Sequence, residues 1–450
     1  MTSKDLFSQI KSKRFIFVAE IFILILSANG VSTAKSNSTT KDIETKVDKI
    51  EKQIIEWRRY FHEHPELSNR EFKTSAKIAD YLQSLGLAVQ TGVAHTGVVG
   101  LLKGANPGPV VGLRADMDAL PVTERTDVPF ASHIKSTYNG QNVGVMHACG
   151  HDTHVAILMG VATVLSQMKE RLHGSVKFIF QPAEEGAPPG EEGGAKLMVK
   201  EGVLENPHVD AIFGLHINSA TEVGTIKYRP GGMMAAADRL KIIVHGKQTH
   251  GSTPWTGIDP IVVSAQIING LQTIVSRQTA LTEDAAVLSI GSIHGGVRNN
   301  IIPEKVELIG TIRTFNTDMQ KKIHDKTYLT ATKIAESAGA TAEVEITKGA
   351  PVTYNDLNLT KEMIPTLQRV AGKENVILRK AITGAEDFSY YQQKIPGFYF
   401  FLGGMPRGMD PAKAPPHHTP SFYIDESGLK LGVRALTYLT FDYMNEHSKK

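Results

Sequence analysis

The sequence predicts an α/β fold carrying a smaller α+β insert, and three observations predict it. Short apolar runs fit for buried strands alternate with helical stretches through the first half of the chain. Between about residues 237 and 349 the runs instead alternate apolar with polar residues, as half-buried antiparallel strands do. After about residue 350 the buried-strand style returns, so the middle segment reads as an insertion into the larger α/β unit.

Taken in order, the first 34 residues read as a cleaved signal peptide. Lys11, Lys13 and Arg14 precede an apolar run from Phe15 to Ser27, and Ser32-Thr33-Ala34 supplies small residues where a signal peptidase cuts. The run is short for a membrane span; the rival reading is a retained N-terminal anchor, and Glu20 weakens both. Residues 35–44 are expected to be a polar linker. From about Asp42 to Leu85 the spacing predicts two helices separated by Pro65, the second ending at Gly86. "VVGLRADMD", "SVKFIFQPAEE", "DAIFGLHIN" and "GFYFFLGG" are expected buried strands, and Val155–Glu170 a helix with Asp152 as its N-cap. In the insert, "DRLKIIVHG", a helix over Pro260–Gln278, "KVELIGTIRTF" and a helix over Thr317–Ser337 suggest a split βαβ sandwich. The expected division is therefore 45–236 and 350–447 for the larger domain and 237–349 for the insert.

Composition narrows the function. A chain of 450 residues favours two domains, and 41% hydrophobic with 21% charged residues is ordinary for a globular protein. A net charge of +3 with no basic run argues against nucleic acid as a partner. The single cysteine cannot form an internal disulfide. That cysteine, Cys149, sits in "VMHACGHDTH" between His147 and His151, which leaves three readings: a reactive thiol, a metal site, or a helix start rich in histidine.

The ionisable residues choose among them. Asp116 and Asp118 follow one apolar run, Glu184 and Glu185 a second, and His216 ends a third. Ligands in open α/β sheets bind outside the carboxyl ends of strands, so these segments converge. A thiol nucleophile needs a histidine that takes its proton and is itself oriented by a third group. Histidines two residues either side of Cys149 suit two metal ligands on one turn better, and a metal keeps the thiol deprotonated and occupied. Thiolate, imidazole and carboxylate donors suit Zn²⁺, and by availability Co²⁺, Ni²⁺ or Mn²⁺.

"MHACGHDTH", "FQPAEEG", "GLHI", "GKQTHGSTPWTGIDPI", "NNIIPE", "GAEDFSYY" and "HHTPSF" occur in that order. Over about residues 45–447 the chain thereby resembles the amidohydrolase branch of the dinuclear zinc exopeptidases. That branch holds hippurate hydrolases, N-acyl-L-amino acid amidohydrolases, thermostable carboxypeptidases and auxin-conjugate hydrolases. The resemblance implies a zinc-exopeptidase-like catalytic domain with a mixed sheet flanked by helices, and an inserted ferredoxin-like lid and dimerisation domain. It implies two divalent metal ions, bridged by Cys149 and further held by His151, Glu185, His216 and His418. Glu184 resembles the general base; Asp118, by its chemistry rather than by the resemblance, reads either as a carboxylate orienting a ligand imidazole or as a capping or turn aspartate. His250 resembles a residue that reaches a partner subunit's site and holds the developing oxyanion. Asn300 and Arg313 resemble the grip on the substrate's free carboxylate. The expected substrate is an N-acyl amino acid or short peptide, and the expected assembly a homodimer through the insert.

This sequence departs from related branches at Asp116-x-Asp118, where they carry His-x-Asp; its loop Gly186 to Ala195 is longer than that expected in plant members and resembles that of some bacterial members. His417 precedes His418, and the family pattern puts the ligand directly before Thr-Pro. His154, one turn beyond His151, is read as supporting rather than ligating; His147 is left unassigned. The alternative class is a non-catalytic metal-binding or assembly protein on the same scaffold.

Overall fold

A computed structural model describes residues 38–448. The chain divides into two units, Met1–Lys52 and Gln53–Lys450. The expected signal segment lies outside the described residues. In the first unit the described residues, 38–52, are helical, including 38–44, which were expected as linker. Ile43 and Val47 recur at helical spacing and are fully buried, and Lys46 pairs with Asp42 one turn back at 3.5 Å. No helix among the described residues is long and apolar enough to cross a membrane.

The second unit opens with helix α1 (residues 53–63) and α2 (Phe72–Ser84), the pair expected on either side of Pro65. Strands β1 (Ala88–Val93), β2 (Gly97–Lys103) and β3 (Asn106–Asp116) lead to α3 (His151–Ser166), then β4 (His173–Gln181), β5 (Ala211–Glu222) and β6 (Ile226–Tyr228). The insert supplies β7 (Ala236–His245), α4 (Pro260–Gln278), β8 (Ala286–His294), β9 (Lys305–Thr314), α5 (Thr317–Ser337) and β10 (Thr341–Lys348). The chain then returns through α6 (Leu357–Ala371), β11 (Val376–Leu378), β12 (Gly397–Met405) and α7 (Leu429–His447).

Eight strands form one mixed sheet in the order β1-β2-β4-β3-β5-β12-β6-β11, parallel at its centre where β4, β3, β5 and β12 pair. The central strands are apolar on both faces because helices cover both; β12 is buried along its whole length. Helix α3 is buried at every position but Ser166, which explains why "VAILMGVATVL" shows no polar stripe. The insert pairs its strands in the order β8-β9-β7-β10, all antiparallel, with α4 and α5 closing a separate core around Leu240, Ile242, Ile267 and Leu308. This is the split βαβ arrangement read from the alternating pattern. Asp259 and Asn316 cap its two helices, each accepting two backbone N–H groups.

Helix α3 starts two residues earlier than the sequence suggested. Gly150 is its N-cap, at φ +99°, and a Cβ there would lie 2.3 Å from Ile217 Cγ2. Both the left-handed backbone and the missing space require glycine between Cys149 and His151. Asp152 is therefore inside the first turn and is not the cap; its carboxylate is spent on a buried ion pair instead.

Candidate metal centre

The centre lies where β3, β4 and β5 stop pairing. Asp116 is the last residue of β3 and pairs with Gln181, the last of β4. The β3–β5 pairing ends at Arg114↔Gly214, so His216 projects just beyond it. The α3 turn adds Cys149 and His151, and the loop after β12 adds His417 and His418, the latter at φ +62°. Cys149, Glu184, Glu185, His216, His417 and His418 line a cavity of about 400 Å³, closed on its other sides by Met234, Ile382, Glu386 and Phe401, and His151 lies behind it.

Cys149 Sγ is 3.3 Å from His216 Nε2 and 3.3 Å from His418 Nε2. His418 Nε2 is also 3.1 Å from Glu185 Oε1. His151 Nε2 lies 3.8 Å from Glu184 and 3.9 Å from Glu185. The five expected ligands and Glu184 thus converge on one point, although His418 comes from the far end of the chain.

The second nitrogen of each imidazole separates ligands from supports. His151 Nδ1 faces the Asp118 carbonyl at 2.8 Å, and His216 Nδ1 faces the Ile217 carbonyl at 2.5 Å. A carbonyl only accepts, so each Nδ1 carries a proton and each Nε2 is left facing the cluster; burial lowers the His151 pKa, but Asp116, Cys149 and Asp118 outweigh it and raise it well above the ordinary value. His154 and His417 are different. His154 Nδ1 donates to Asp116 and its Nε2 accepts the Ile217 N–H at 2.8 Å. His417 Nδ1 donates to the Cys149 carbonyl at 3.1 Å and its Nε2 accepts the Ser219 N–H at 3.2 Å. Both rings are spent on the protein. Hydrogen bonding thus distinguishes His154 and His417 from His418, although His417 Nδ1 also lies 3.8 Å from Cys149 Sγ.

His151 Nε2 is buried with no hydrogen-bond partner, whereas Glu185 Oε1 has His418 Nε2 beside it at 3.1 Å. An orphaned buried polar atom costs roughly 1–3 kcal/mol. That it faces the Glu184 and Glu185 carboxylates marks a place for a cation. Electrostatics agrees. Burial, Glu386, Glu185 and Asp387 push the Glu184 carboxyl well above the usual carboxylate range. Burial and Glu185 push the Cys149 thiol up, against the pull of His151. Burial holds His216 well below the ordinary imidazole value, helped by His154 and His417, so it is neutral. Acidic groups crowded without water repel one another, and divalent cations relieve that repulsion.

The residues behind the cluster are the ones sequence reasoning missed or left open. Asp118 was read as an orienting carboxylate. Its side chain accepts the backbone N–H groups of Glu184 (3.0 Å) and Glu185 (3.1 Å) and the Ser68 hydroxyl, and its carbonyl holds His151. Arg114, fully buried in β3, binds Asp116 at 2.7 Å, Asp387 at 2.8 Å and Glu386 at 3.0 Å. An arginine inside the apolar run "VVGLRAD" was the available signal. Asp152 is held by Arg58 Nε at 2.9 Å and His62 Nδ1 at 2.8 Å, with Glu124 on the other His62 nitrogen. His147 is buried with both ring nitrogens unpaired, and burial pushes it down to about 4.

The Arg58–His62–Asp152 cluster ties α1 to the turn that carries His151. Burial and the Arg58 charge lower the His62 pKa, but Asp152 and Glu124 outweigh them, and it is raised. A raised folded-state pKa means that the protonated ring stabilises the fold below its unfolded value of about 6.5, and that this contribution fades as pH rises through the folded value. The Tm deficit of His62→Gln relative to wild type is expected to be larger at pH 6 than at pH 9. An equal deficit at both values in thermal melts would show that His62 is not charged in the fold.

His250, Asn300 and Arg313 lie on the insert. His250 is exposed, with Nδ1 bonded to Ser252, and Arg313 sits in β9 opposite Val287 and Ala237. None is among the residues that line the cavity.

A mixed α/β scaffold presenting thiolate, imidazole and carboxylate donors in one cavity defines a metallohydrolase. Residues 112–441 match Peptidase family M20/M25/M40, and the chain belongs to this family of metal-dependent hydrolases that act on amide bonds. It is 43% identical over 406 residues to thermostable carboxypeptidase 2 of Saccharolobus solfataricus, covering 90% of this chain and 98% of that one. It is 39% identical over 381 residues to N-acetylcysteine deacetylase of Bacillus subtilis, covering 84% and 93%. A solved Bacillus subtilis structure, described as a dinuclear metal binding peptidase from the M20 family, superposes with a TM-score of 0.74. It shares 35% identity and covers 88% of this chain and 99% of that one.

Proposed function

We propose that the protein hydrolyses the amide bond of N-acyl amino acids, hippurate among them, or of short peptides with a free α-carboxylate. Cys149, His151, Glu185, His216 and His418 are the residues that would hold two divalent ions, Zn²⁺, Mn²⁺, Co²⁺ or Ni²⁺. The observation that carries this reading is the donor geometry: imidazole Nε2 atoms aimed at one thiol and one carboxylate, with His151 Nε2 buried and unpaired. Bound ions lower the pKa of water to about 7 and polarise the scissile carbonyl.

The chain's own groups do the rest. Glu184 takes the proton from the attacking water and hands it to the leaving amine. The burial and neighbouring carboxylates that raise its proton affinity suit both halves of that task. Asp118 fixes the Glu184 and Glu185 backbone, so base and ligand keep their spacing. Arg114 holds Asp116, which holds His154, which holds the Ile217 N–H next to His216. Cys149 is a ligand in this reading rather than a nucleophile, since its buried thiol is disfavoured as a free thiolate.

His250, Asn300 and Arg313 act on substrate only when the insert closes over a site, its own or that of a second subunit in a homodimer. Sedimentation shows whether the active species is that dimer; a fully active monomer would remove the trans role of His250. Export through the N-terminal segment is part of the same proposal, and fractionation of the expressing cells tests it.

The direct test follows amino acid release from hippurate and N-acetyl amino acids after chelation, with Zn²⁺, Co²⁺ or Mn²⁺ added back. Activity is expected to vanish and return. No metal-dependent release from any substrate would favour the non-catalytic alternative. A second expectation separates the adjacent histidines. His418→Asn should lose bound metal, whereas His417→Asn should keep it, as read by elemental analysis; the reverse order would reassign the ligand.

A further inference from the structure

Among the described residues the fully buried cations are matched. Arg58 and Arg114 each face carboxylates, and the Lys177 ammonium donates to three backbone carbonyls. The half-buried Arg379 differs. It follows β11, with its backbone N–H on the Tyr228 carbonyl and its Nε on the Lys380 carbonyl at 3.3 Å. No carboxylate among the described residues pairs with its guanidinium. Burial alone acts on it, holding its pKa below the ordinary arginine value.

Its position is specific. The guanidinium carbon lies 4.1 Å above the centre of the Phe401 ring. Phe401 lines the metal cavity, and its ring is 6.0 Å from that of His216. Ile382, three residues after Arg379, lines the same cavity and bridges Met234. The Arg379 segment therefore borders the cavity beside Phe401 and Ile382. Lys227 lies opposite both Phe401 and Ile377 in the sheet, and burial together with Arg379 pushes its pKa down. Two neighbouring cations with no acid between them disfavour each other, and an anion supplied from outside removes that cost. Guanidinium stacked on an aromatic face keeps its N–H edge free for a planar carboxylate.

We propose that Arg379, with Lys227 beside it, forms an anion subsite at the cavity rim, and that it takes a carboxylate which the substrate carries in addition to its α-carboxylate. The source is either the far end of a dicarboxylic acyl group or an acidic side chain. The proposal rests on the amide-hydrolase reading and names its substrate class. It is independent of Asn300 and Arg313, which lie on the insert.

The test compares kcat/KM for N-succinyl-leucine, N-acetyl-glutamate and N-acetyl-leucine in the Zn²⁺-loaded wild type, Arg379→Met and Arg379→Lys. A charge-assisted hydrogen bond lost with the guanidinium should lower the preference for a doubly charged substrate about 10- to 100-fold in Arg379→Met. Arg379→Lys should restore part of it. A drop confined to N-succinyl-leucine assigns the acyl side, and one confined to N-acetyl-glutamate assigns the side chain. The same preference in wild type and Arg379→Met overturns the proposal. Calorimetric titration of glutarate against butyrate reads the subsite without turnover: tighter glutarate in wild type, lost in Arg379→Met, supports it, and equal binding overturns it. If the wild type cleaves none of the three substrates, the amide-hydrolase reading fails, and the titration still decides the subsite.

Discussion

Glu184→Gln is expected to keep its metal and lose nearly all turnover. The substitution preserves shape and removes the atom that takes and returns a proton, a step worth about 100- to 10,000-fold in rate. Its backbone N–H still donates to Asp118 and Glu185 remains in place, so the ligand geometry survives. Elemental analysis and kcat on one preparation separate the two effects. Unchanged metal with kcat down at least 100-fold is the expected pair. A variant that stays active would move the base to another group. A variant that loses metal would make Glu184 part of the binding shell.

Cys149→Ala should fail earlier, at metal binding. Cys149 Sγ lies 3.3 Å from both His216 Nε2 and His418 Nε2, so its loss opens the middle of the donor set. Metal content should fall for both ions together, and activity should fall below detection. The thermal effect should be far smaller without added metal, since alanine fits the buried turn and Gly150 keeps its conformation. Metal stabilises the fold only by binding it, so the Tm gain on adding Zn²⁺ should be large in wild type and absent in Cys149→Ala. A Cys149→Ala protein with full metal content would remove the thiolate from the site.

Both expectations began as sequence readings, and they were legible because the chemistry is local. "ACGHD" places a thiol and an imidazole on one turn, and "AEEG" places two carboxylates after a strand. Side chains that must meet a metal cannot be exchanged freely, so their types stay visible in the chain. The sheet was equally legible, since strands covered on both faces leave unbroken apolar runs. The insert showed itself through alternation, which records one face on a core and one toward water.

The supports were not legible for the opposite reason. Asp152 looked like a helix cap because capping is the commonest local use of an aspartate before a helix, yet Arg58 and His62 reach it from a helix about 90 residues earlier. His417 and His418 are adjacent and of the same type. Only the Cys149 carbonyl and the Ser219 N–H, which occupy both nitrogens of one ring, tell them apart. Nothing in "ILRKA" distinguishes Arg379 from a surface arginine until β12 brings Phe401 beneath it. Residue type and spacing along the chain specified the fold class and brought candidate donors into view, because strand burial and metal preference act through single side chains; the full ligand set came from the family resemblance. Which imidazole is free, which acid is spent on a cation and which cation lacks an acid depend on partners distant in sequence, and only the folded sheet brings those partners within hydrogen-bonding distance.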